Sequence, residues 1–504
     1  MPRYKTTDVS AGQGLFLPVD LNKQLLPGTF EHMLNEIIGT KIDISNFDKK
    51  YKNEQTGASA VPPTVLLKLI IYAYSKGCMS SRKIMELNSN NIVAKALTGD
   101  MKIHWTTIAD FISLNSEEFK ETFVKALMYC NELSLIGGET YAIDGLRLPS
   151  NASIDMSGTE EQLRERLSLY RKMAEKHLAR HQKKDELIEE TGTEEKKHIE
   201  ERQKYLAGQI EKISSFLEGM EKKTGRSGDE IKSNVTDNES AMIESSKGFL
   251  QGYIGIAVSD QKAQVITSAQ AVGTANEGEH LPWVLDTNAE NLKEAGVKAE
   301  EGKRISVLGD SNYFSDDNLR ACQERGIEAV IPDGQGKRRL NSDGDRRYEL
   351  DDFKYHEEEN YYECPQGKRL EYKRETEQKG VKGKVYQGSL TDCKGCPDFS
   401  KCSWSKKKQS EIDKGKALRV TEKHGQGSLC RKAREKQATE EFQTLYSKRI
   451  QIVEPVFANI RHCKGLNRFT LRGKKKVNGQ WQLYCIVHNL GKCLNELNRR
   501  RNSA

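Results

Sequence analysis

No stretch of this chain approaches the ~18 uninterrupted apolar residues of a membrane span. Its most apolar segment, Val65 to Tyr74, is short and carries Lys68, so it reads as a core helix. The start of the chain lacks the basic-then-apolar pattern of a secretory signal. Charge of one sign is scarce: 80 Lys and Arg oppose 73 Asp and Glu, leaving +7 over 504 residues. Cysteine is sparse and odd in number, at 11, which argues against a disulfide framework and for a reducing, cytoplasmic setting. A chain of this length implies more than one domain.

What charge there is lies unevenly. From Pro455 onward eleven Lys and Arg, among them Arg461, Arg472, Lys474, Lys475 and Lys476, face one acid, Glu496. A polyanion is the natural partner of such a block, since each neutralised phosphate releases counterions; a solvated basic tail is the other reading. Asp144 and Asp310 each close a short β-branched, apolar run, and Glu454 follows a basic helical stretch. Each alone also reads as turn or surface chemistry. Together, carboxylates that converge at the edge of an α/β sheet hold hard divalent cations, which activate a water or hydroxyl and stabilise the oxygens of a phosphodiester. That points to a nuclease or polynucleotidyl transferase.

The periodicity divides the chain. Residues 1–29 form a polar arm, and 30–135 a helical module with Pro62-Pro63 opening one helix and Ser80-Ser81 capping another. Strands are expected at Thr140–Asp144, Leu250–Val258, Ala263–Ser268, Arg304–Gly309 and Ile327–Ile331, with helices at Glu279–Ala295 and Ser315–Arg325. This order fits a ribonuclease H-like α/β core over 136–158 and 226–332. Residues 159–225 carry two apolar seams joined near Gly192, a helical hairpin. The polar insertion 333–430 holds Cys364, Cys393, Cys396 and Cys402, of which the middle pair has knuckle spacing. A structural zinc site is one reading and free thiols the other. Residues 431–504 supply the Glu454 helix and the basic C-terminal region. Trp283 and Tyr253 read as core aromatics or as platforms for an unpaired base, and His280 as structural.

Motifs along the chain resemble those of a known family. They are Asp144-Gly-Leu-Arg-Leu-Pro-Ser-Asn-Ala-Ser153, Gly309-Asp310-Ser-Asn-Tyr-Phe-Ser315 and Val453-Glu454-Pro-Val-Phe457. They are accompanied by Cys78-Met-Ser-Ser-Arg82, Leu97-Thr-Gly99, Trp105 to Phe111, Asn467 to Gly473 and Val487-His-Asn-Leu490. In this order they resemble bacterial insertion-sequence transposases of the DDE class, in the branch with a Tyr-Arg-Glu-Lys signature around the third acid. The resemblance implies Asp144, Asp310 and Glu454 as a triad binding Mg²⁺ or Mn²⁺, and Tyr446, Arg449 and Arg461 as the signature's other members. Four residues separate Arg449 from Glu454 where the family has three, Arg461 stands for its Lys, and Pro455 follows the glutamate. The implied activity is strand cleavage and strand transfer at the ends of an insertion sequence, by a homodimer on double-stranded DNA in the nucleoid. The helical module, with Arg82 and Lys83, would hold the terminal inverted repeats, and Arg472, Lys474, Lys475 and Lys476 would contact phosphates. A nuclease that cuts without joining, or an inactive transposase-derived DNA-binding protein, are the alternatives.

Overall fold

The computed structural model describes residues 20–51, 59–185, 193–225, 228–245, 248–298, 303–334, 345–378, 381–402, 408–421 and 429–503. The polar arm as far as residue 19 and the hairpin turn near Gly192 lie outside the described residues.

The three- and four-residue apolar spacing of the N-terminal part forms six helices: α1 (Phe30–Ile37), α2 (Pro63–Ser75), α3 (Ser81–Asn90), α4 (Ile92–Thr98), α5 (Trp105–Leu114) and α6 (Ser116–Glu132). Their ends follow local chemistry. Thr29 caps α1 by accepting the His32 N–H, and Asn91 caps α4 by accepting that of Ala94. Ser80 occupies the N-cap of α3 without a side-chain hydrogen bond.

The strand-period region builds a mixed sheet from β1 (Thr140–Pro149), β4 (Ala241–Ser245), β5 (Gly248–Asp260), β6 (Ile266–Val272), β7 (Ile305–Leu308) and β8 (Ile327–Val330). A separate small pair is formed by β2 (Ser157–Gly158) and β3 (Ser233–Asn234). β5 lies antiparallel to β1, while β7 and β8 continue from β1 in parallel. β4 and β6 share the other edge of β5, each antiparallel to it. Helices α9 (Leu281–Glu294) and α10 (Asp316–Glu324) form the crossovers between β6 and β8. This central mixed sheet with helices is compatible with a ribonuclease H-like fold. All five expected strands are present, though the one expected at Ala263–Ser268 lies further on, at Ile266–Val272. The first runs on past Asp144 to Pro149, because β5 pairs with it as far as Pro149↔Gly252. β4 is an addition.

Between β2 and β3 stand α7 (Glu160–Asp185) and α8 (Thr193–Glu218), whose seams meet around Leu163, Leu167 and Ile213. Downstream of β8, the cysteine-bearing segment forms a second, antiparallel sheet of five strands: β9 (Lys354–His356), β10 (Tyr361–Glu363), β11 (Arg369–Gln378), β12 (Val381–Gly388) and β13 (Ala417–Thr421). With the short helices α11 (Leu390–Lys394) and α12 (Phe399–Cys402), it encloses a cluster of Phe353, Tyr362, Leu370, Tyr386 and Leu418. The polar, cysteine-bearing segment therefore has a hydrophobic core of its own.

Three helices close the chain: α13 (Leu429–Gln437), α14 (Glu440–Ala458) and α15 (Lys474–Ser503). α15 is buried on most sides between the N-terminal helices and the sheet, and one core joins Leu34, Tyr74, Phe123 and Leu127 to Trp481, Tyr484 and Leu490. Its polar residues finish the unpaired edge of β6. Asn489 accepts the Ile266 N–H and donates to its carbonyl at 2.8 Å each, and Asn478 accepts the Ala271 N–H at 2.7 Å. An edge strand is thus covered by side-chain amides rather than by another strand. No described helix is long and apolar enough to cross a membrane.

Candidate metal centre and nucleic-acid interface

The parallel pairing of β1 with β7 ends at Ala142↔Leu308. Asp144 and Asp310 each lie two residues beyond that last pair. Side chains alternate with period two and adjacent strands are ~4.8 Å apart, so both carboxylates leave the same rung on the same side. The sheet register and the turn that follows β7, where Asp310 is the N-cap, together bring them close.

A third carboxylate joins them. One oxygen from each of Asp144, Asp310 and Glu277 lies within 4.8 Å of the others. Glu277 belongs to the link between β6 and α9, immediately before the 3₁₀ turn Gly278–His280. It is 2% exposed. Its Oε1 accepts from Arg147 Nη2 at 3.3 Å and from Asn312 Nδ2 at 3.2 Å, and its Oε2 has no hydrogen-bond partner. Asn312 Nδ2 also donates to Asp310 Oδ2 at 3.0 Å, while its backbone N–H donates to Asp310 Oδ1 at 2.9 Å. Asn318 fastens the two loops, donating to the Gly278 carbonyl at 2.8 Å and the Tyr313 carbonyl at 2.9 Å.

Arg449 of α14 reaches into the same centre. It is buried, and its Nη2 donates to Asp144 Oδ2 at 2.6 Å. Burial raises the Asp144 carboxyl above its ordinary range; the Arg449 charge opposes the rise and Asp310 adds to it. Glu277 is pushed up to about 7, by burial first and then by the charges of Asp144 and Asp310, with Arg147 working against them. The Tyr446 phenol is raised chiefly by burial. Tyr313, fully buried with an unpartnered hydroxyl, is raised by burial and then by Glu277, Asp144 and Asp310. Three acids share this centre with one buried arginine, and Glu277 Oε2, Tyr313 Oη and Arg449 Nε all lack partners there.

Glu454 is not a member of the trio. It is exposed on α14, five residues beyond Arg449. At ~100° per residue that offset turns it about 140° away from the arginine. The buried face of the helix is carried by Phe442, Arg449, Ile452, Val453 and Val456 instead. Pro455 does not break α14. Its missing N–H leaves the Gln451 carbonyl without a helical donor, and Gln264 Nε2 supplies one at 2.8 Å. Tyr446 packs beside Arg449 at the sheet, next to Phe442. Arg461 is exposed in the π-helical turn Asn459–Cys463.

Arg472, Lys474, Lys475 and Lys476 are exposed at the start of α15. Cations there oppose the helix dipole, so helix stability does not explain them. Glu239 and Asp237 accept the N–H groups of Lys474 and Gly473, at 2.9 and 3.2 Å. Lys475 pairs with Glu117 at 3.2 Å, and Arg472 donates to the Asn151 carbonyl at 2.8 Å. Lys474 lies 5.7 Å from the ring centre of Trp283, which is 41% exposed. Tyr253 is fully buried and donates to Asp237, so it is a core residue. His280 Nε2 bonds Thr274 Oγ1 at 2.8 Å. Arg82 lies over the Trp105 ring at 4.8 Å, and Lys83 is exposed.

Cys364, Cys393, Cys396 and Cys402 gather where the ends of β10 and β12 meet α11 and α12. Backbone N–H groups of Lys368 and Lys416 donate to the sulfurs of Cys364 and Cys393, at 3.4 and 3.3 Å. The Cys402 thiol is pushed up to about 11, mainly by burial and further by the other three cysteines. Among the described residues, only the acidic trio has its ligand atoms all within 4.8 Å; the four sulfurs do not reach that separation.

The sequence singled out Asp144 and Asp310 but not Glu277. Its setting, Thr274-Ala-Asn-Glu277-Gly-Glu-His280, reads as a polar lead-in to a helix. The available signal was the pairing of Asp144-Gly145 with Glu277-Gly278, two acids each followed by a residue without a side chain.

Two protein families match the chain. One, described as a transposase DDE domain, covers residues 363–494, which include Tyr446, Arg449, Glu454 and Arg461; the other, described as a transposase domain, covers residues 19–114. Asp144, Glu277 and Asp310 lie outside both matched ranges. No curated protein and no solved structure matches the chain. Towards each end, then, the chain is similar to transposases: to a transposase domain over residues 19–114 and to a transposase DDE domain over residues 363–494.

Proposed function

We propose that this protein cuts DNA at the ends of an insertion sequence and joins the freed 3′ ends to target DNA, on a ribonuclease H-like core. The observation that carries the reading is the convergence of Asp144 and Asp310 beyond the same rung of a parallel strand pair, in a chain matched by transposase families.

The residues fit the divalent cation that such chemistry requires. The donors are all carboxylate oxygens, as Mg²⁺ and Mn²⁺ prefer, and a buried one is left without a partner. A bound cation would activate the attacking water or hydroxyl and neutralise charge on the phosphate. Asp144 and Asp310 would hold it. Glu454, the third acid by resemblance, would serve from α14 once that helix turns it toward bound DNA. Arg449 balances charge beside Asp144, and its guanidinium fork suits a phosphate equally well. Tyr446 lies next to it. Arg461, Arg472, Lys474, Lys475 and Lys476 would track the DNA backbone, fixing register without reading sequence. The N-terminal helices, with Arg82 and Lys83, would contact the terminal repeats, and the resemblance adds a dimer on the paired ends. The four cysteines would hold a structural zinc once their sulfurs close.

The test uses fragments carrying the element's ends, uncut and pre-cut, with Mg²⁺. The wild-type chain is expected to nick the first and join the second to target DNA, and D144N to do neither while still binding. Cutting without joining would make the protein a nuclease. Binding without either reaction, in the wild type, would make it a DNA-binding relative.

A further inference from the structure

We propose that Glu277 is a third carboxylate ligand of the divalent cation, already positioned in the protein free of DNA. The inference deepens the reading just given and rests on it.

Four features of the trio support the assignment. First, Glu277 is 2% exposed and its Oε2 has no partner, although a buried unpaired carboxylate oxygen is costly. A cation shared by the trio would supply that carboxylate with a partner, since it has an oxygen within 4.8 Å of oxygens of Asp144 and Asp310. Second, the other oxygen is oriented. Arg147 and Asn312 both bind Oε1, and the same Asn312 amide holds Asp310, so one side chain aims two of the three acids. Shared outer hydrogen bonds of this kind fix the direction of metal-binding carboxylates.

Third, the backbone is cut away to admit the carboxylate. A Cβ on Gly145 would stand 1.7 Å from Glu277 Oε2 and 2.6 Å from Ile254 Cγ2. A Cβ on Gly278 would stand 2.3 Å from the Asn312 carbonyl oxygen. Neither glycine is among those with a positive φ, so close approach, not backbone conformation, accounts for them. Fourth, Arg147 does not neutralise Glu277 as a structural ion pair would. Its side chain is 37% exposed, meets only Oε1 at 3.3 Å, and leaves Oε2 without a partner.

The test is Mn²⁺ titration of the full chain without DNA, following free Mn²⁺ by electron paramagnetic resonance, together with unfolding curves in the absence of metal. E277Q keeps shape and removes charge. It is expected to weaken Mn²⁺ binding about tenfold or more, while the metal-free protein stays as stable as the wild type or gains stability, since a repelling charge is gone. E277D keeps the charge and withdraws the oxygens by one methylene; it is expected to weaken binding too, and it guards against a glutamine variant that fails to fold. Weakened binding in D144N but not in E277Q or E277D overturns the role of Glu277 and leaves the cation centre standing. Unchanged binding in all three overturns the cation centre as well. Lost metal-free stability with unchanged Mn²⁺ affinity would make Glu277 a structural residue and overturn the proposal.

Discussion

A cation held by Asp144 would compete with Arg449 for its carboxylate. Arg449 Nη2 lies 2.6 Å from Asp144 Oδ2, and the pair is only partly open to solvent, with side-chain exposures of 10% and 22%. Removing one partner of a fully buried pair costs ~3–5 kcal/mol, because the other charge is left uncompensated. Solvent access at Asp144 lowers that to about 2 kcal/mol. R449Q should therefore destabilise the metal-free protein by about this amount. The same substitution removes the internal counterion that a cation must displace. Cation affinity should then rise by up to roughly 30-fold, at 1.4 kcal/mol per tenfold. Unfolding by urea with and without Mn²⁺ reads both effects. The gap between the two curves should be wider for R449Q than for the wild type. A narrower gap would refute the competition and make Arg449 a support of the cation site instead.

Three further outcomes are expected. Changing Lys474, Lys475 and Lys476 to Ala should weaken DNA binding and flatten its dependence on salt, with Mn²⁺ affinity unchanged; the slope of log K against log salt reads this directly. Closing the cysteine cluster on zinc should give about one equivalent by metal analysis, lost in C396S; four freely reactive thiols without zinc would end that reading. Burial holds the His488 imidazole down at about 4 against an ordinary 6.5. Its contribution is whole above pH 6.5 and is lost as pH falls from there towards 4, because the unfolded chain takes up the proton first. The loss is on the order of 3 kcal/mol at 1.36 kcal/mol per unit, and H488Q should remove that part of the pH slope in urea unfolding.

The parts of the fold that were legible in the sequence are those whose periodicity matches their surroundings. β-branched runs gave the core strands, and amphipathic spacing gave α2, α9 and α10. α15 escaped recognition because Asn478, Gln480, Gln482, His488 and Asn489 look like surface residues, yet all but Asn478 are buried. They are tolerated inside because most find fixed partners, as Asn489 does at β6. The acids divide in the same way. Asp144 and Asp310 were visible because strand register is local and periodic. Glu277 was not, since its place depends on clearances at Gly145 and Gly278 that exist only in three dimensions. Glu454 was singled out from a motif, and it stands exposed on α14, apart from the trio in the protein free of metal and DNA.

The burial of α15 also constrains how the protein can fold. Cys130 on α6 and Cys493 on α15 touch at 3.4 Å across 363 residues of sequence. The N-terminal helices therefore lack an interior wall until that distant helix arrives, and their apolar faces must wait exposed or loosely collapsed. Closing so long a loop is entropically cheap per added residue but slow. A chain truncated before Lys474 would not yield a smaller working protein. It would leave the face that includes Tyr74, Phe123 and Leu127 uncovered, and aggregation would be its fate rather than partial activity.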